Sequence, residues 1–172
     1  KVDSYEIGLK TRLADGKVIF NVAAFWDEHK DIQLSVFKAG AGASSVVNNA
    51  AQARIRGLEI ETVLRPVDQL TVNASLAFID PKYKSYIEAV NGVDTDVSKN
   101  RAFPHTPKTT ASAGVDLRVV EGDWGRLNLS GDISYVSSYY TFPYALVTAT
   151  PSDQNANNTK SKGRTIVNLR AG

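Results

Sequence analysis

Two glutamates are the residues of this sequence best placed for acid–base chemistry. Glu59 and Glu61 are two positions apart, and in a strand such residues point to the same face. Neighbouring carboxylates can act as general acid and general base. A hydrated, charge-paired wall is the favoured interpretation of the pair, because opposite charges on adjacent strands can pair across a sheet.

The two histidines could in principle bind a metal or act as bases. His29 and His105 lie far apart, at the margins of predicted loops, and neither has a metal-ligand spacing such as His-x-x-x-His. The chain has no cysteine, which excludes disulfides, thiolate metal sites and a cysteine nucleophile. It also has no phosphate-binding glycine loop and no Gly-x-Ser-x-Gly motif. The sequence therefore predicts no enzyme, no catalytic residue, no cofactor and no metal site.

The overall composition limits the class of protein. The 172 residues suffice for one ordinary domain, and a net charge of only +2 offers no electrostatic case for binding nucleic acid. No run approaches about 18 apolar residues, so no transmembrane helix is expected. The chain starts Lys1-Val2-Asp3 and contains no methionine, from which we expect a processed product or a fragment.

An alternation of apolar and polar residues with a period of two recurs along the chain. It is clearest over residues 70–78, where Leu70, Val72, Ala74, Leu76 and Phe78 share one face. Each run is about ten residues long, the length that a tilted strand needs to cross a bilayer. Such a pattern fits a membrane barrel or a soluble barrel. Seven strands are predicted, at 4–14, 17–28, 56–64, 70–78, 109–119, 127–139 and from about 164 onwards.

Short and long connections alternate between these strands. The short ones are 15–16, 66–69 and 121–125, and the long ones are about 29–54, 81–108 and 140–163. In an antiparallel up-and-down meander, this order places all turns at one end and all long loops at the other, as in outer-membrane barrels. Loops of this length are uncommon in soluble domains. Residues 39–53 and 151–162 are small and polar, which favours solvated surface loops over loops that become ordered around a ligand.

Two sets of side chains are expected at defined positions in a membrane barrel. Polar residues that alternate with the apolar ones are predicted to face the lumen: Glu59, Glu61, Asn73, Asp116, Arg118, Asp132 and Arg170. Aromatic residues near the long-loop ends are predicted to form a lipid-interface girdle, chiefly Trp26, Phe78, Tyr135 and Tyr139, within a larger group that includes Tyr5, Phe25, Tyr83, Tyr86 and Tyr140. Trp124 would mark the opposite interface. The ligand-binding residues are unknown.

An ordered set of short motifs resembles a known family. The motifs are Tyr5-Glu6-Ile7-Gly8, Asn21-Val22-Ala23-Ala24-Phe25-Trp26, Arg56-Gly57-Leu58-Glu59, Arg65-Pro66, and Arg101-Ala102-Phe103-Pro104-His105-Thr106-Pro107. Together they resemble the C-terminal barrel portion of TonB-dependent outer-membrane receptors. The resemblance implies an all-β fold, a plugged transmembrane barrel of about 22 strands, and a location in the outer membrane of a Gram-negative bacterium. It further implies energy-coupled uptake of ferric siderophores, cobalamin or other scarce nutrients.

The chain also departs from the family pattern. It has no plug domain, no TonB box and no terminal aromatic residue, and it has too few strands to close such a barrel. Residues 1–172 are therefore expected to be a partial barrel domain, about a third of the whole. The implied partners are outer-membrane lipid, the TonB system through the missing plug region, and a ferric siderophore or another nutrient.

Two alternatives remain open on the sequence. One is a small, self-contained membrane barrel of about eight strands, serving as an adhesin or structural protein. The other, less favoured, is a soluble ligand-binding barrel of lipocalin type, whose apolar face would point inward. A soluble barrel would remain a monodisperse monomer without detergent, whereas both membrane barrels would require detergent.

Overall fold

The computed structural model describes residues 1–38, 44–90, 92–122, 125–143, 146 and 160–172, and only the backbone of 34–38 and 44–50. Ten strands make up most of this part of the chain: β1 (Val2–Leu13), β2 (Val18–Lys38), β3 (Ser44–Val67), β4 (Leu70–Val90), β5 (Val93–Asp96), β6 (Thr109–Gly122), β7 (Gly125–Val136), β8 (Tyr139–Tyr140), β9 (Lys160–Ser161) and β10 (Arg164–Ala171). Two single-turn 3-10 segments, Ala14–Gly16 and Ser98–Asn100, join them. Among the described residues, no helix is long and apolar enough to span a membrane.

The strands form one antiparallel meander. Its order is β1-β2-β3-β4-β6-β7-β10, with β5 paired to β4 beside this path and β8 paired to β9 separately. Every predicted strand is present, and the seven strands of the path follow chain order. The all-β antiparallel meander predicted from the alternation is therefore confirmed.

The strands next to the predicted long loops are much longer than the alternation indicated. The ladder between β2 and β3 continues beyond His29 to Lys38, which pairs with Ser44. The prediction of a loop at 29–54 is therefore wrong for most of its residues. Residues 44–53 of the small, polar segment belong to β3, while 39–43 lie outside the described residues. Backbone hydrogen bonds hold these extensions together, and they do not require an apolar face.

The other predicted connections have mixed outcomes. The loop predicted at 81–108 begins as a continuation of β4, which runs to Val90. The first short turn is confirmed, with positive φ at Ala14, Asp15 and Gly16, a conformation that glycine adopts at little cost. The turn at 66–69 shortens because β3 continues to Val67. The predictions for Trp124 and for 151–159 lie outside the described residues.

The register divides the sheet into two faces, because directly paired residues point to the same side. The apolar face carries rows such as Leu9, Val22, Ile60, Leu76 and Ala111. The polar face carries rows such as Lys10, Asn21, Glu61, Ser75 and Ser112. Along each of the seven strands of the meander, successive side chains point alternately to the two faces. The alternation in the sequence is thus carried through into the sheet.

A buried core is almost absent from the described residues. Four apolar residues are buried, namely Ala51, Ala53, Tyr86 and Ala102, and they lie together near the long-loop end. By contrast, Ile7 is 77% exposed and Leu169 is 85% exposed. A contiguous exposed apolar face of this kind marks a surface that another phase or partner must cover.

Candidate functional site

All seven residues predicted to face a lumen share the polar face. Glu59 and Glu61 alternate with apolar Leu58 and Ile60 on β3. Asn73 and Asp132 are both paired with Gly114, and Asp116 pairs with Ser130, which pairs with Arg170. Arg118 lies two residues beyond Asp116 on β6. The register therefore brings these side chains onto one wall, although it spreads them over five strands.

Hydrogen bonds across neighbouring strands connect the polar face. Asn168 Nδ2 donates to Asp132 Oδ2 at 2.8 Å, and the hydroxyl oxygens of Ser75 and Ser112 lie 2.8 Å apart. A Cβ built on Gly114 would lie 2.7 Å from Asn73 Oδ1, so glycine leaves room for the Asn73 amide. These contacts link neighbouring strands across the polar face, and none of them involves Glu59 or Glu61.

The aromatic residues divide between the two faces. Trp26, Phe78 and Tyr135 lie on the apolar face, because their partners there are Tyr5, Leu58 and Ala111 respectively. Phe25, one residue from Trp26, lies on the polar face opposite Gly57. Tyr139 lies outside the main sheet, in the short β8–β9 pair. Three of the four residues predicted for the girdle therefore share a face, and Tyr139 does not join them.

A cavity of about 620 Å³ lies at the long-loop end, within the size range of small-molecule sites. The last pair between β4 and β6 is Phe78 with Thr109, so beyond this point the edge of β4 is free of β6. The segment from Ser98 to Lys108 and the residues around Tyr139 lie beside that edge and enclose the cavity.

Aromatic rings form one wall of the cavity. The ring centroids of Tyr83 and Phe103 are 4.8 Å apart, and those of Tyr83 and Tyr86 are 5.0 Å apart at a right angle. Edge-to-face packing of this kind is favourable beyond simple burial. Burial raises the pKa of Tyr83 to about 12, with a smaller contribution from Tyr86, so the Tyr83 phenol keeps its proton at neutral pH.

Cationic side chains form much of the rest of the lining: Lys82, Lys99, Arg101, Lys108 and Lys160. Arg101 is held in place by Glu88, to which its Nε donates at 3.0 Å while a second guanidinium nitrogen donates to the same carboxylate. Its NH1 donates to the carbonyl oxygen of Asn100 at 3.0 Å. Glu88 therefore offsets the charge of Arg101, and the lysines supply the net positive charge of the lining.

The proline-containing motif closes the other side of the cavity. Pro104 forms a parallel bridge with Tyr140, and the backbone N–H of His105 donates to the carbonyl oxygen of Tyr140 at 2.7 Å. His105 has a φ of 52°, a conformation that non-glycine residues seldom adopt. The ammonium nitrogen of Lys160 lies 5.5 Å from the centroid of the Tyr140 ring. The motif thus ties the loop before β6 to the β8–β9 pair.

Sequence reasoning missed this cavity. Part of its lining comes from the segment Arg101-Ala102-Phe103-Pro104-His105-Thr106-Pro107, which in the sequence is recognisable only as a family motif. Cations and ring faces converging on one cavity are suited to an anionic ligand with planar groups. No group of three or more His, Cys, Asp or Glu in the described part of the chain is arranged to hold a metal ion.

Comparison with protein families resolves the assignment. The family model described as TonB dependent receptor-like, beta-barrel, matches residues 1–172. The chain belongs to the TonB-dependent receptor family. The matched region is the β-barrel of these receptors, so the barrel predicted from the motifs is confirmed.

Solved structures of TonB-dependent receptors share this fold. The siderophore receptor PiuA of Acinetobacter baumannii matches 99% of this chain with a TM-score of 0.69 and 15% identity. The ferric preacinetobactin receptor BauA of the same organism matches 99% with a TM-score of 0.65 and 23% identity. The ferric yersiniabactin uptake receptor FyuA of Yersinia pestis matches 99% with a TM-score of 0.66 and 17% identity. In each case the chain spans 22% of the receptor.

Family membership fixes the broad class of function. TonB-dependent receptors are outer-membrane proteins, and the family and the similar structures are receptors and transporters rather than enzymes. This chain spans about a fifth of the length of the similar receptors.

Proposed function

We propose that residues 1–172 form part of the barrel wall of a TonB-dependent receptor in the outer membrane of a Gram-negative bacterium. The receptor takes up a ferric siderophore or another scarce nutrient. Family membership over the whole chain supports this proposal, and so does the likeness in fold to siderophore receptors. Energy reaches the receptor from TonB through the plug region of the complete protein.

The separation of the sheet into two faces is the observation that carries the proposal. Five apolar side chains form one face over the nine residues from Leu70 to Phe78, a length that matches the roughly 9–11 residues of a membrane-spanning strand. This face is directed towards lipid, with Trp26, Phe78 and Tyr135 near the interface. The polar face lines the water-filled lumen, with Glu59, Glu61, Asn73, Asp116, Arg118, Asp132 and Arg170 on its surface.

The cavity at the long-loop end is the proposed contact surface for the nutrient. Such loops face outward in outer-membrane barrels, so this cavity meets ligand before the lumen does. Lys99 and Lys108 supply positive charge, and Tyr83 and Phe103 supply ring faces. A ferric complex carrying negative charge and planar chelating groups fits this lining.

Uptake by the complete receptor tests the proposal. Bacteria producing the receptor are grown on a panel of ferric siderophores as the sole iron source, beside strains lacking the receptor or TonB. Growth on at least one panel member is expected to require both genes. Growth that depends on neither gene, for every siderophore and for cobalamin, would contradict nutrient uptake.

Cavity variants separate ligand contact from wall structure. Lys99→Gln with Lys108→Gln is expected to weaken ligand binding by about 10-fold or more, since hydrogen bonds to charged groups contribute roughly 1.5–3 kcal/mol each. Lys10→Gln with Arg118→Gln removes the same charge from the wall and is the matched control. Equal affinities of the two double variants, measured by titrating purified receptor, would exclude the cavity as the contact surface.

The two other barrel hypotheses gain no comparable support. A self-contained small barrel acting as an adhesin would fold alone and need neither plug nor TonB. A soluble lipocalin-type barrel would turn its apolar face inward, whereas the family model that matches residues 1–172 is that of a TonB-dependent receptor barrel.

A further inference from the structure

The segment between β5 and β6 forms a strap along one side of the cavity, which we define as residues 97–108. Its contributions to the cavity lining are Ser98, Lys99, Arg101, Ala102, Phe103, Thr106 and Lys108. Apart from the single turn Ser98–Asn100, the strap has no helix and no strand of its own. Such a segment keeps one shape only where specific contacts hold it. The contacts at the two ends of the strap therefore decide the shape of this side of the cavity.

Main-chain contacts hold the end of the strap that leads into β6. Pro104 bridges Tyr140, and the backbone N–H of His105 donates to the carbonyl oxygen of Tyr140 at 2.7 Å. The backbone N–H of Ile79, on β4, donates to the carbonyl oxygen of Lys108 at 2.9 Å. These contacts do not depend on any charged side chain.

Two carboxylates hold the end of the strap that follows β5. Asp96 accepts a hydrogen bond from the backbone N–H of Ser98 at 2.9 Å. Glu88, on β4, accepts hydrogen bonds from two guanidinium nitrogens of Arg101, and the third nitrogen donates to the carbonyl oxygen of Asn100. The side chain of Arg101 is only 14% exposed. Glu88 is not among the described residues that line the cavity, so a ligand there does not contact it directly.

Packed side chains connect this ion pair to the aromatic wall of the cavity. The guanidinium carbon of Arg101 lies 6.0 Å from the centroid of the Tyr86 ring, which is buried. Tyr86 packs edge-to-face on Tyr83, and Tyr83 packs on Phe103. Ala102, between Arg101 and Phe103 in the chain, is also buried. Fixing Arg101 therefore fixes the position of the Phe103 ring on the wall.

We propose that Glu88 is a positioning residue for nutrient binding, because it fixes Arg101 and so holds the strap in the shape that the nutrient meets. The inference rests on the proposed function, which makes the cavity the contact surface for the nutrient. A preformed wall favours binding because less ordering is needed when the ligand arrives.

The sign of the effect separates positioning from simple charge balance. Removing the Glu88 carboxylate leaves the surroundings of the cavity more positive, and this change alone would strengthen the binding of an anion. Loss of a positioning residue weakens binding of the same anion, since a receptor whose strap is held only part of the time binds in proportion to that fraction.

Hydrogen exchange on the purified complete receptor measures the strap without any ligand. Glu88→Gln is expected to speed amide exchange in residues 98–103 by about 10-fold or more, the factor expected when a hydrogen bond between charged groups is lost. Asp94→Asn removes the same charge from an exposed position on β5 and is the matched control, with exchange unchanged. Unchanged exchange in Glu88→Gln would overturn the proposal.

Binding of a ferric tricatecholate, an anionic complex with planar rings, gives the second measurement. Glu88→Gln should weaken its binding by about the same factor as exchange is accelerated, and saturation with the complex should restore slow exchange. Asp94→Asn should bind like the unsubstituted receptor. A contact that only stabilised the barrel would leave the affinity of the folded receptor unchanged, so equal or tighter binding by Glu88→Gln would overturn the proposal.

A double-variant cycle tests whether Glu88 acts through Arg101. Glu88→Gln should add little to the loss caused by Arg101→Gln, and additive losses would overturn the proposal. If Glu88→Gln fails to fold, Arg101→Lys keeps the charge but lacks the paired donors of a guanidinium. It should speed exchange in residues 98–103, and unchanged exchange would overturn the proposal. Because exchange needs no ligand, a receptor that takes up no nutrient would contradict the proposed function while the strap is still tested.

Discussion

At the scale of single residues, Gly57 shows how closely the strands of this wall approach one another. A Cβ built on Gly57 would lie 2.5 Å from Phe25 Cζ and 2.5 Å from the carbonyl oxygen of Phe78. The ring of Phe25, on β2, and the backbone carbonyl of Phe78, on β4, both lie against Gly57. The Gly57-Leu58-Glu59 motif, noted in the sequence as a family feature, thus has a steric reason.

Gly57→Ala is expected to destabilise the barrel by about 1–3 kcal/mol, the usual cost of overpacking. The backbone oxygen of Phe78 cannot move aside without disturbing the ladder between β3 and β4. Gly131→Ala is the matched control, since its nearest contact is the flexible end of Leu169, at 2.9 Å. Urea unfolding of the complete receptor measures both, and equal midpoints for the two variants would contradict this account.

The direction of the two faces can be tested with charges on opposite faces of β4. Leu76→Arg places a charge in the apolar face near the middle of the proposed bilayer span and should cost roughly 2–4 kcal/mol. Asn73→Arg, on the polar face, should cost much less because water reaches it. Folding of the full-length receptor into lipid gives both values, and similar costs would show that the assignment of the faces fails.

At the scale of elements, the β4–β5 hairpin and the segment that follows it position the cavity. Asp96, the last residue of β5, accepts hydrogen bonds on Oδ1 from the backbone N–H of Tyr86 at 3.1 Å and of Ser98 at 2.9 Å. It therefore links β4 to the start of the segment that carries Arg101. Hydrogen bonds from the Ser98 backbone and side chain, then from the Tyr86 backbone, lower the pKa of Asp96.

Acid is expected to loosen this element. Because the folded pKa lies below the ordinary value of 3.8, the stabilisation is complete above that value and is lost as the pH falls through the folded pKa. Amide exchange at Tyr86 and Ser98 should therefore lose protection on acidification in this range. Asp96→Asn should remove this pH dependence while Asp94→Asn, on the same strand, keeps it. A pH dependence that persists in Asp96→Asn would exclude this carboxylate as the cause.

At the scale of the whole molecule, the described sheet is a wall with two open edges. The path of paired strands begins at β1 and ends at β10, and both edges present unpaired backbone groups that are templates for further pairing. The large apolar residues of the wall are exposed, and the few buried ones lie near the cavity. Lipid on one face and neighbouring strands at both edges would provide what the wall lacks.

Residues 1–172 produced alone should fail to form a stable monomer in detergent. Their open edges should lead to aggregation, seen as elution in the void volume on size exclusion and as the absence of a heat-modifiable band on gels. The complete receptor, treated alike, is the control and should show such a band. A monodisperse, heat-modifiable monomer of 1–172 would instead favour the small self-contained barrel.

The sequence by itself determined the strands, the two faces and the family, because a period of two survives in any register and the short motifs are local. It also placed Glu59, Asn73 and Arg170 on one face before any pairing was known. It could not determine how far the ladders continue beyond His29 and Pro81, because those extensions depend on backbone pairing rather than on apolar alternation. The tertiary structure alone decided the cavity, since Tyr83 on β4 meets Tyr139 and Lys160 there only after segments far apart in the sequence have come together.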